Sequence, residues 1–471
     1  MSNKILDILR KRSLQNLGFT IFWLLILCAY GINAYCRGIN ADACFYIAVS
    51  GLLNDGLIPF VDFKPGYTPL SFYIMQVPQL ITGQNFTILI SLLYLIQFFN
   101  SYLLYRIVLK ETGSVNLSQS SAIFFMIINL LWAAEYILEP FILLFGFLSM
   151  ICWYKPGTKY LLLTGFLCFC SFWCKQYGVG FLLLAFIYQA CKGSFSVRSI
   201  CRSCIILAGF LIGAAFFISI LLLQGVSISD LSGFSGGTYE KDGINGLIGG
   251  YILLFKMVPM LILTIILSLI KLRQSIRKAI IVVSYCGIFG FMLQCYVRLY
   301  GHYLILAIPF CALLLSTGTK LITSRDKRGW YKVLLVLTLI LPLRYLIPST
   351  VSMMQSTEKQ DQVAVAMRIE EMIPYGTNNV FASQDLLYVT LLNSYRPPLL
   401  DKYGLSNGFV RKSQEIMDLC EQADYCIIGT EEATNTQRFS GEVREYLSTR
   451  FNTYPILGSD NTHIGNLYVR K

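Results

Sequence analysis

Long apolar runs separated by short basic turns dominate the first three quarters of the chain. Residues 17–34, 205–223 and 261–270 are almost free of charge, and similar runs recur as far as residue 348. Runs close to the 20 residues that a bilayer requires predict membrane-spanning helices. Eleven are expected, at about 17–35, 86–108, 119–134, 138–154, 159–174, 176–191, 203–223, 251–270, 279–297, 302–320 and 330–348. The stretch 70–83 is also apolar, but it carries Gln76, Pro78 and Gln79. It is expected as an interfacial helix inside a first outer loop of about 36–85. A second outer loop, 224–250, is rich in Gly and Ser and then reads Tyr239-Glu240-Lys241-Asp242. A mobile lid and a plain linker fit it equally well.

The pattern changes after residue 348. Short apolar strands are expected at 379–383, 424–429, 454–457 and 464–470, alternating with helices at 384–393, 412–420 and 441–450. Such alternation predicts a small α/β domain. The expected fold is therefore an all-α polytopic membrane domain, 1–348, followed by a C-terminal α/β extracytoplasmic domain, 349–471.

Composition agrees. The chain is 55% hydrophobic and 14% charged, against about 25% charged in soluble domains. The net charge of +12 carries no nucleic-acid signature, because the positive-inside rule accounts for much of it. With the N-terminus in the cytoplasm, 20 basic residues fall in cytoplasmic segments and 7 on the outer side or at outer helix ends, among them Arg37, Lys64, Lys175 and Arg298. The acids invert this, with Asp42, Asp55, Asp62, Glu135, Glu139, Asp230, Glu240 and Asp242 outside. An odd number of spans then places the C-terminal domain outside as well, as expected for a multi-pass protein of a bacterial inner membrane. The first run has a basic flank but no small-residue cleavage site, so it reads as a span and not a signal peptide.

Most of the fifteen cysteines lie in apolar spans and act as small hydrophobes. Cys36/Cys44 and Cys420/Cys426 are the pairs placed for outer-side disulfides. Cys201-x-x-Cys204 lacks a second pair, and with only His302 and His463 a His-rich metal centre is excluded. No cofactor is required by these residues; a divalent metal is left open but not indicated.

Candidate chemistry concentrates in the first outer loop. Asp42 precedes Phe45-Tyr46-Ile47-Ala48 and Leu52-Leu53, which are spaced like an interfacial amphipathic helix. A carboxylate among aromatics at the membrane surface is a proton acceptor in waiting; it is equally a helix N-cap. Asp62-Phe63-Lys64-Pro65-Gly66-Tyr67-Thr68-Pro69 holds Lys64 near headgroup level, where it suits an anionic phosphate or simple snorkelling. Glu139 opens a helix before Pro140, a position that complements the macrodipole. Lys175 is read as opening the next helix, where a cation is unfavourable, which makes it the more telling residue. Arg298, Tyr300, His302 and Tyr303 form a further outer group. Together the basic residues can line a pocket for a lipid-borne phosphate.

These residues resemble a known group. Asp42, then 56–60, Lys64-Pro65 and Pro69-Leu70 look like the first-loop pattern of GT-C membrane glycosyltransferases, in particular the family 39 type of protein O-mannosyltransferases and lipid A aminoarabinose transferases. Glu139-Pro140, Lys175-Gln176 and Gly301-His302-Tyr303 recur in similar relative places. The resemblance covers roughly 17–348. It implies transfer of a single sugar from a polyprenyl-phosphate donor to a hydroxyl of a glycan, lipid or protein acceptor at the outer face, usually with inversion. Asp42 would be the base or an acceptor-orienting acid, with Asp62 and Glu139 as further catalytic acids. Lys64, Lys175, Arg298, His302 and Tyr303 would meet the donor phosphate, and Tyr46 and Tyr67 would line the acceptor and sugar pocket. The chain departs from the pattern at Ala43, where many members carry a second acid, and at Gly66, where many read Lys-Pro-Pro.

A lipid-linked glycan flippase is the runner-up, disfavoured because neither an internal repeat nor a mid-membrane acid pair is visible. Behind it stand an O-antigen ligase or polymerase, which uses diphosphate-linked oligosaccharides, and a non-enzymatic membrane scaffold.

Overall fold

The structure is a computed structural model that describes residues 3–63, 65–132, 134–228, 242–270, 278–323, 330–374, 376–383, 386–395, 399–400, 404–405, 413–430 and 439–471. Its first part is helical. α1 (Asn3–Cys36) precedes two short helices, α2 (Ala41–Asn54) and α3 (Leu70–Thr82), and then come α4 (Phe86–Thr112) and α5 (Val115–Trp132). α6 (Glu139–Trp153), α7 (Thr158–Cys174), α8 (Val179–Lys192) and α9 (Val197–Leu223) follow. Next are α10 (Gly243–Met257), α11 (Pro259–Ile270), α12 (Ala279–Met292), α13 (Gln294–Val297), α14 (Ile308–Thr323), α15 (Trp330–Gln355) and α16 (Glu358–Glu370).

Among the described residues seven helices are long and apolar enough to cross a bilayer, or eight if the bent α10–α11 pair is one span. α6, α7 and α8 are apolar but shorter, at 15, 17 and 14 residues. The span expected at 251–270 is two helices meeting at 95°. Pro259 explains the break: it lacks an N–H and pushes Val258 out of the helical region. The last expected span ends later than residue 348, because α15 carries Pro342 and Pro348 within it and runs on to Gln355. α3 has only 13 residues, which is too short to span.

Small residues and buried polar groups hold the bundle together, as expected where lipid removes the hydrophobic drive between helices. α7 and α9 approach so closely that a Cβ on Gly165 would lie 1.8 Å from the carbonyl oxygen of Ile206, and one on Gly209 would lie 2.0 Å from that of Leu162. The Tyr30 hydroxyl on α1 is within 3.1 Å of both Gln97 Oε1 on α4 and the Met126 carbonyl on α5. Trp23 Nε1 donates to Gln119 Oε1 at 3.0 Å.

The C-terminal part carries a four-stranded mixed sheet. Strand Val380–Ala382 pairs in parallel with Tyr425–Gly429, which pairs antiparallel with His463–Arg470, and that strand pairs antiparallel with Phe451–Leu457. The expected helices appear at Leu387–Leu392, Ser413–Gln422 and Gly441–Arg450. Phe381, Ile416, Leu419, Ile428, Val443 and Phe451 fill the core on one face of the sheet. Cys420 and Cys426 are buried there as free thiols, and Cys36 and Cys44 are free as well.

This part is clamped to the start of the first loop. The Ile39 amide donates to Gln362 Oε1 at 2.7 Å and Gln362 Nε2 returns a bond to the Ile39 carbonyl at 3.0 Å. Lys359 Nζ donates to the Tyr35 carbonyl at 2.7 Å and to Thr87 Oγ1 at 2.8 Å. α16 therefore sits over residues 35–39, just before α2, and helix Leu387–Leu392 packs on α2 itself.

Candidate active site

α2 begins as its sequence dictates, with one difference. The N-cap is Asn40, whose side chain accepts from the Ala43 amide at 2.8 Å. Asp42 lies in the first turn, free of the capping duty, and its side chain is exposed. The same helix buries Phe45 and Tyr46. The segment that follows is fixed by its own turn: Asp62 Oδ2 accepts from the Ile58 amide at 2.6 Å, and Phe60 adopts φ 72°. Asp62 thus serves its own loop, and none of its described contacts reaches the other acids. Lys64 lies outside the described residues.

Beyond that turn the chain is tied to the end of α7. Thr68 Oγ1 donates to the Phe172 carbonyl and Ser71 Oγ to the Cys174 carbonyl, each at 3.1 Å. These bonds bring Tyr67 next to Lys175. Lys175 does not open a helix; it is the extended C-cap of α7, followed by a 3-10 turn at Gln176–Gly178. A cation there complements the helix macrodipole. The turn requires a glycine: a Cβ on Gly178 would lie 2.1 Å from the Ser171 carbonyl oxygen.

Glu139 does open α6, with Pro140 in its first turn. Asn100 Nδ2 on α4 holds that turn through the Pro140 carbonyl at 2.8 Å, and Ser171 Oγ on α7 holds the next residues through the Ile142 carbonyl at 2.9 Å. The two helix ends so placed bring Lys175 Nζ to 2.5 Å from Glu139 Oε1, with both side chains at most 2% exposed. Glu139 Oε2 has no hydrogen-bond partner among the described residues. Three rings close over the ammonium, with centroids at 5.1 Å (Tyr67), 5.7 Å (Tyr177) and 5.0 Å (Tyr303). Buried charge is tolerable only when paired, and here one carboxylate and three ring faces share that task.

The cluster continues outward. The Tyr46 and Tyr67 rings meet edge to face at 6.0 Å. His302 lies on Tyr303 at 4.6 Å and stacks on Tyr300 at 5.4 Å, and the Arg298 guanidinium covers Tyr300 at 4.8 Å. Tyr46 is within electrostatic reach of Asp42, Glu139, Tyr67 and Tyr303, and His302 is within reach of Asp42, Glu135, Glu139 and Lys175. Six of the ten expected site residues thus form one continuous group, Tyr46, Tyr67, Glu139, Lys175, His302 and Tyr303, and Asp42 stands within electrostatic reach of it. Arg298 joins it at the rim through Tyr300. Lys175 enters the group as the buried partner of Glu139, not as an open phosphate contact.

Three neighbours, Tyr177, Arg37 and Glu135, are not among the expected site residues. Tyr177 is the third ring over Lys175. Arg37 Nη1 lies 3.5 Å from Glu135 Oε1, joining the residues after α1 to those before α6. Glu135, four positions before Glu139 on the acid-rich side, is the signal for this pair, but sequence offers no distance between 37 and 135.

Neither a protein-family model nor a curated protein sequence matches the chain. Solved structures do. ArnT from Cupriavidus metallidurans in the apo state superposes with a TM-score of 0.64 at 10% identity, covering 95% of this chain and 97% of that one. The same protein bound to undecaprenyl phosphate gives 0.62 with the same identity and coverage. The Archaeoglobus fulgidus oligosaccharyltransferase in the apo form gives 0.50 at 11% identity, covering 96% of this chain and 74% of that one. The fold of the chain is that of these GT-C membrane proteins, the architecture that its first-loop pattern resembles.

Proposed function

We propose that the protein is an integral-membrane glycosyltransferase that moves one sugar from a polyprenyl-phosphate donor to an acceptor hydroxyl at the extracytoplasmic face. The acceptor oxygen forms its bond to the anomeric carbon from the side opposite the phosphate. The bond from that carbon to the phosphate oxygen breaks, and polyprenyl phosphate leaves with the electron pair, inverting the configuration. Asp42 takes the acceptor proton. The observation that carries this reading is the exposed carboxylate of Asp42 at the edge of a cluster of buried Glu139, Lys175 and Tyr46 and half-buried Tyr67. Of the acids in the group it is the one an acceptor can reach, and a base must come within hydrogen-bond reach of the proton it removes.

The phosphate is already a fair leaving group and needs charge stabilisation more than protonation. Arg298 and His302 are the exposed and half-buried basic groups on the Tyr300–Tyr303 side, and Lys64 completes the set in this reading. Glu139 and Lys175 then hold the Tyr67 and Tyr303 rings that line the sugar pocket. A lipid-phosphate donor is supported by undecaprenyl phosphate bound in a structure of the same fold. The reading places the first loop, Asp42 and the C-terminal domain on the extracytoplasmic side, with the N-terminus cytoplasmic.

The test is transfer by purified protein from a panel of radiolabelled polyprenyl-phosphate sugars, with Asp42→Asn alongside. Transfer or slow hydrolysis by wild type, reduced about 10²–10⁴-fold in the variant while donor binding is kept, is the expected result. Movement of these lipids across liposomes without cleavage would replace transfer by transport.

A further inference from the structure

A second polar site lies at the far end of the bundle. α8 starts beside the Lys175 cluster and has 14 residues, so its other end is about 20 Å away. There a cavity of about 390 Å³ opens between the ends of α4, α8 and α14 and the start of α12, with Glu111, Tyr188, Lys192, Ser194, Lys278 and Lys320 on its wall. Among the described residues three ammonium groups from three separate segments line the space with one carboxylate, so this part of its wall carries excess positive charge. Arg202 on α9 acts on Tyr188 from nearby, and Lys192 Nζ is held 5.4 Å from the Tyr188 ring centroid. Tyr154 packs edge-on against Tyr188 at 5.9 Å. Its hydroxyl is shut from solvent and faces the Glu111 carboxylate.

The turn on the rim indicates where a ligand comes from. Ser194 and Phe195 both adopt left-handed backbone, φ 51° and 56°, which costs energy for side-chain-bearing residues. The result is that Phe195 stands 78% exposed and Val197 75% exposed directly beside the cavity wall. Bare apolar side chains next to clustered lysines, at the ends of apolar helices, match the boundary between acyl chains and headgroups.

We infer that this cavity binds the phosphodiester headgroup of an anionic glycerophospholipid. Lys192, Lys278 and Lys320 hold the phosphate oxygens, and Phe195 lies among the acyl chains. The site is separate from the transfer site and does not depend on that reading.

The full-length protein in phosphatidylcholine nanodiscs with increasing phosphatidylglycerol tests this. Retained lipid is read by native mass spectrometry, and thermal unfolding is followed in parallel, with inorganic phosphate as the soluble comparison. Wild type is expected to retain phosphatidylglycerol and unfold at higher temperature with it, but not with phosphatidylcholine or inorganic phosphate. Lys192→Gln, at an exposed side chain, weakens retention roughly fivefold, and the triple Gln variant at 192, 278 and 320 about a hundredfold; Lys→Arg replacements keep it. Equal retention of both lipids overturns the proposal, as does undiminished retention in Lys192→Gln and in a cooperatively unfolding triple variant. Stabilisation by inorganic phosphate equal to that by phosphatidylglycerol overturns the lipid assignment.

Discussion

Removing Lys175 leaves Glu139 buried without its cation. The structure sets the scale of the cost. The pair is 2.5 Å apart and both side chains are at most 2% exposed, so water cannot take over the role of either partner. Breaking such a pair by deleting one member costs about 3–5 kcal/mol. The three ring contacts, each about 0.5–2 kcal/mol, are lost with it. Replacing both members by neutral residues of similar shape costs far less, because no charge is then stranded. Lys175→Met is therefore expected to lower the unfolding temperature in detergent by about 5–11 °C, since cooperative unfolding of a chain this long shifts by about 1 °C per kcal/mol. Lys175→Met with Glu139→Gln should regain more than half of the loss. The assay is a double-mutant cycle by differential scanning fluorimetry, with Glu139→Gln as the other single variant. If the double variant is as unstable as the sum of the singles, the two groups do not act as a pair and the reasoning is refuted.

Further outcomes follow from the same geometry. Tyr67→Phe keeps the ring over Lys175 and should cost less stability than Tyr67→Leu, which loses the ring contact worth about 0.5–2 kcal/mol; equal effects in thermal unfolding would remove the ring from the argument. Gly178→Ala drives a Cβ to 2.1 Å from the Ser171 carbonyl oxygen and should cost about 1–3 kcal/mol by displacing the turn, seen as a lower unfolding temperature and slower transfer together. Gln362→Leu with Lys359→Met removes the four bonds joining α16 to residues 35–39 and Thr87. Hydrogen exchange in α16 should rise while exchange in the strands at 425–429 and 463–470 stays slow. Uniform acceleration across the C-terminal part would show that the clamp supports its fold and not only its placement.

The architecture is legible in the sequence because it rests on period and length. Apolar runs near bilayer thickness and strand-length apolar segments after residue 348 are both local signals, and local signals survive without an alignment. The differences have equally local causes. Lys175-Gln176 reads as a helix start because α7 and α8 are joined by a three-residue turn that no Pro marks, and only the backbone separates a C-cap from an N-terminus there. The break at Val258 is announced by Pro259, yet the apolar run continues through it and outweighs the proline. Asp42 suits a capping role by residue type, and Asn40, two positions earlier, takes that role.

The site itself can be assembled from sequence only in part, because its contacts join residues far apart along the chain. The Tyr67, Glu139, Lys175 and Tyr303 side chains meet because Thr68 and Ser71 bind the end of α7 and Asn100 binds the start of α6. None of these three anchors carries a charge, and although Thr68 falls in the first-loop segment, nothing in the chain marks the three as anchors before folding. They also divide the acids by location. Glu139 is locked at the base of the cluster by Lys175, and Asp42 is left exposed at its edge by Asn40. A carboxylate that neutralises a buried lysine cannot also accept a proton from an acceptor without stranding that lysine. In the proposed reading, the burial that pairs Glu139 with Lys175 therefore leaves the base's task to Asp42, and the two acids cannot exchange tasks without first breaking the ion pair.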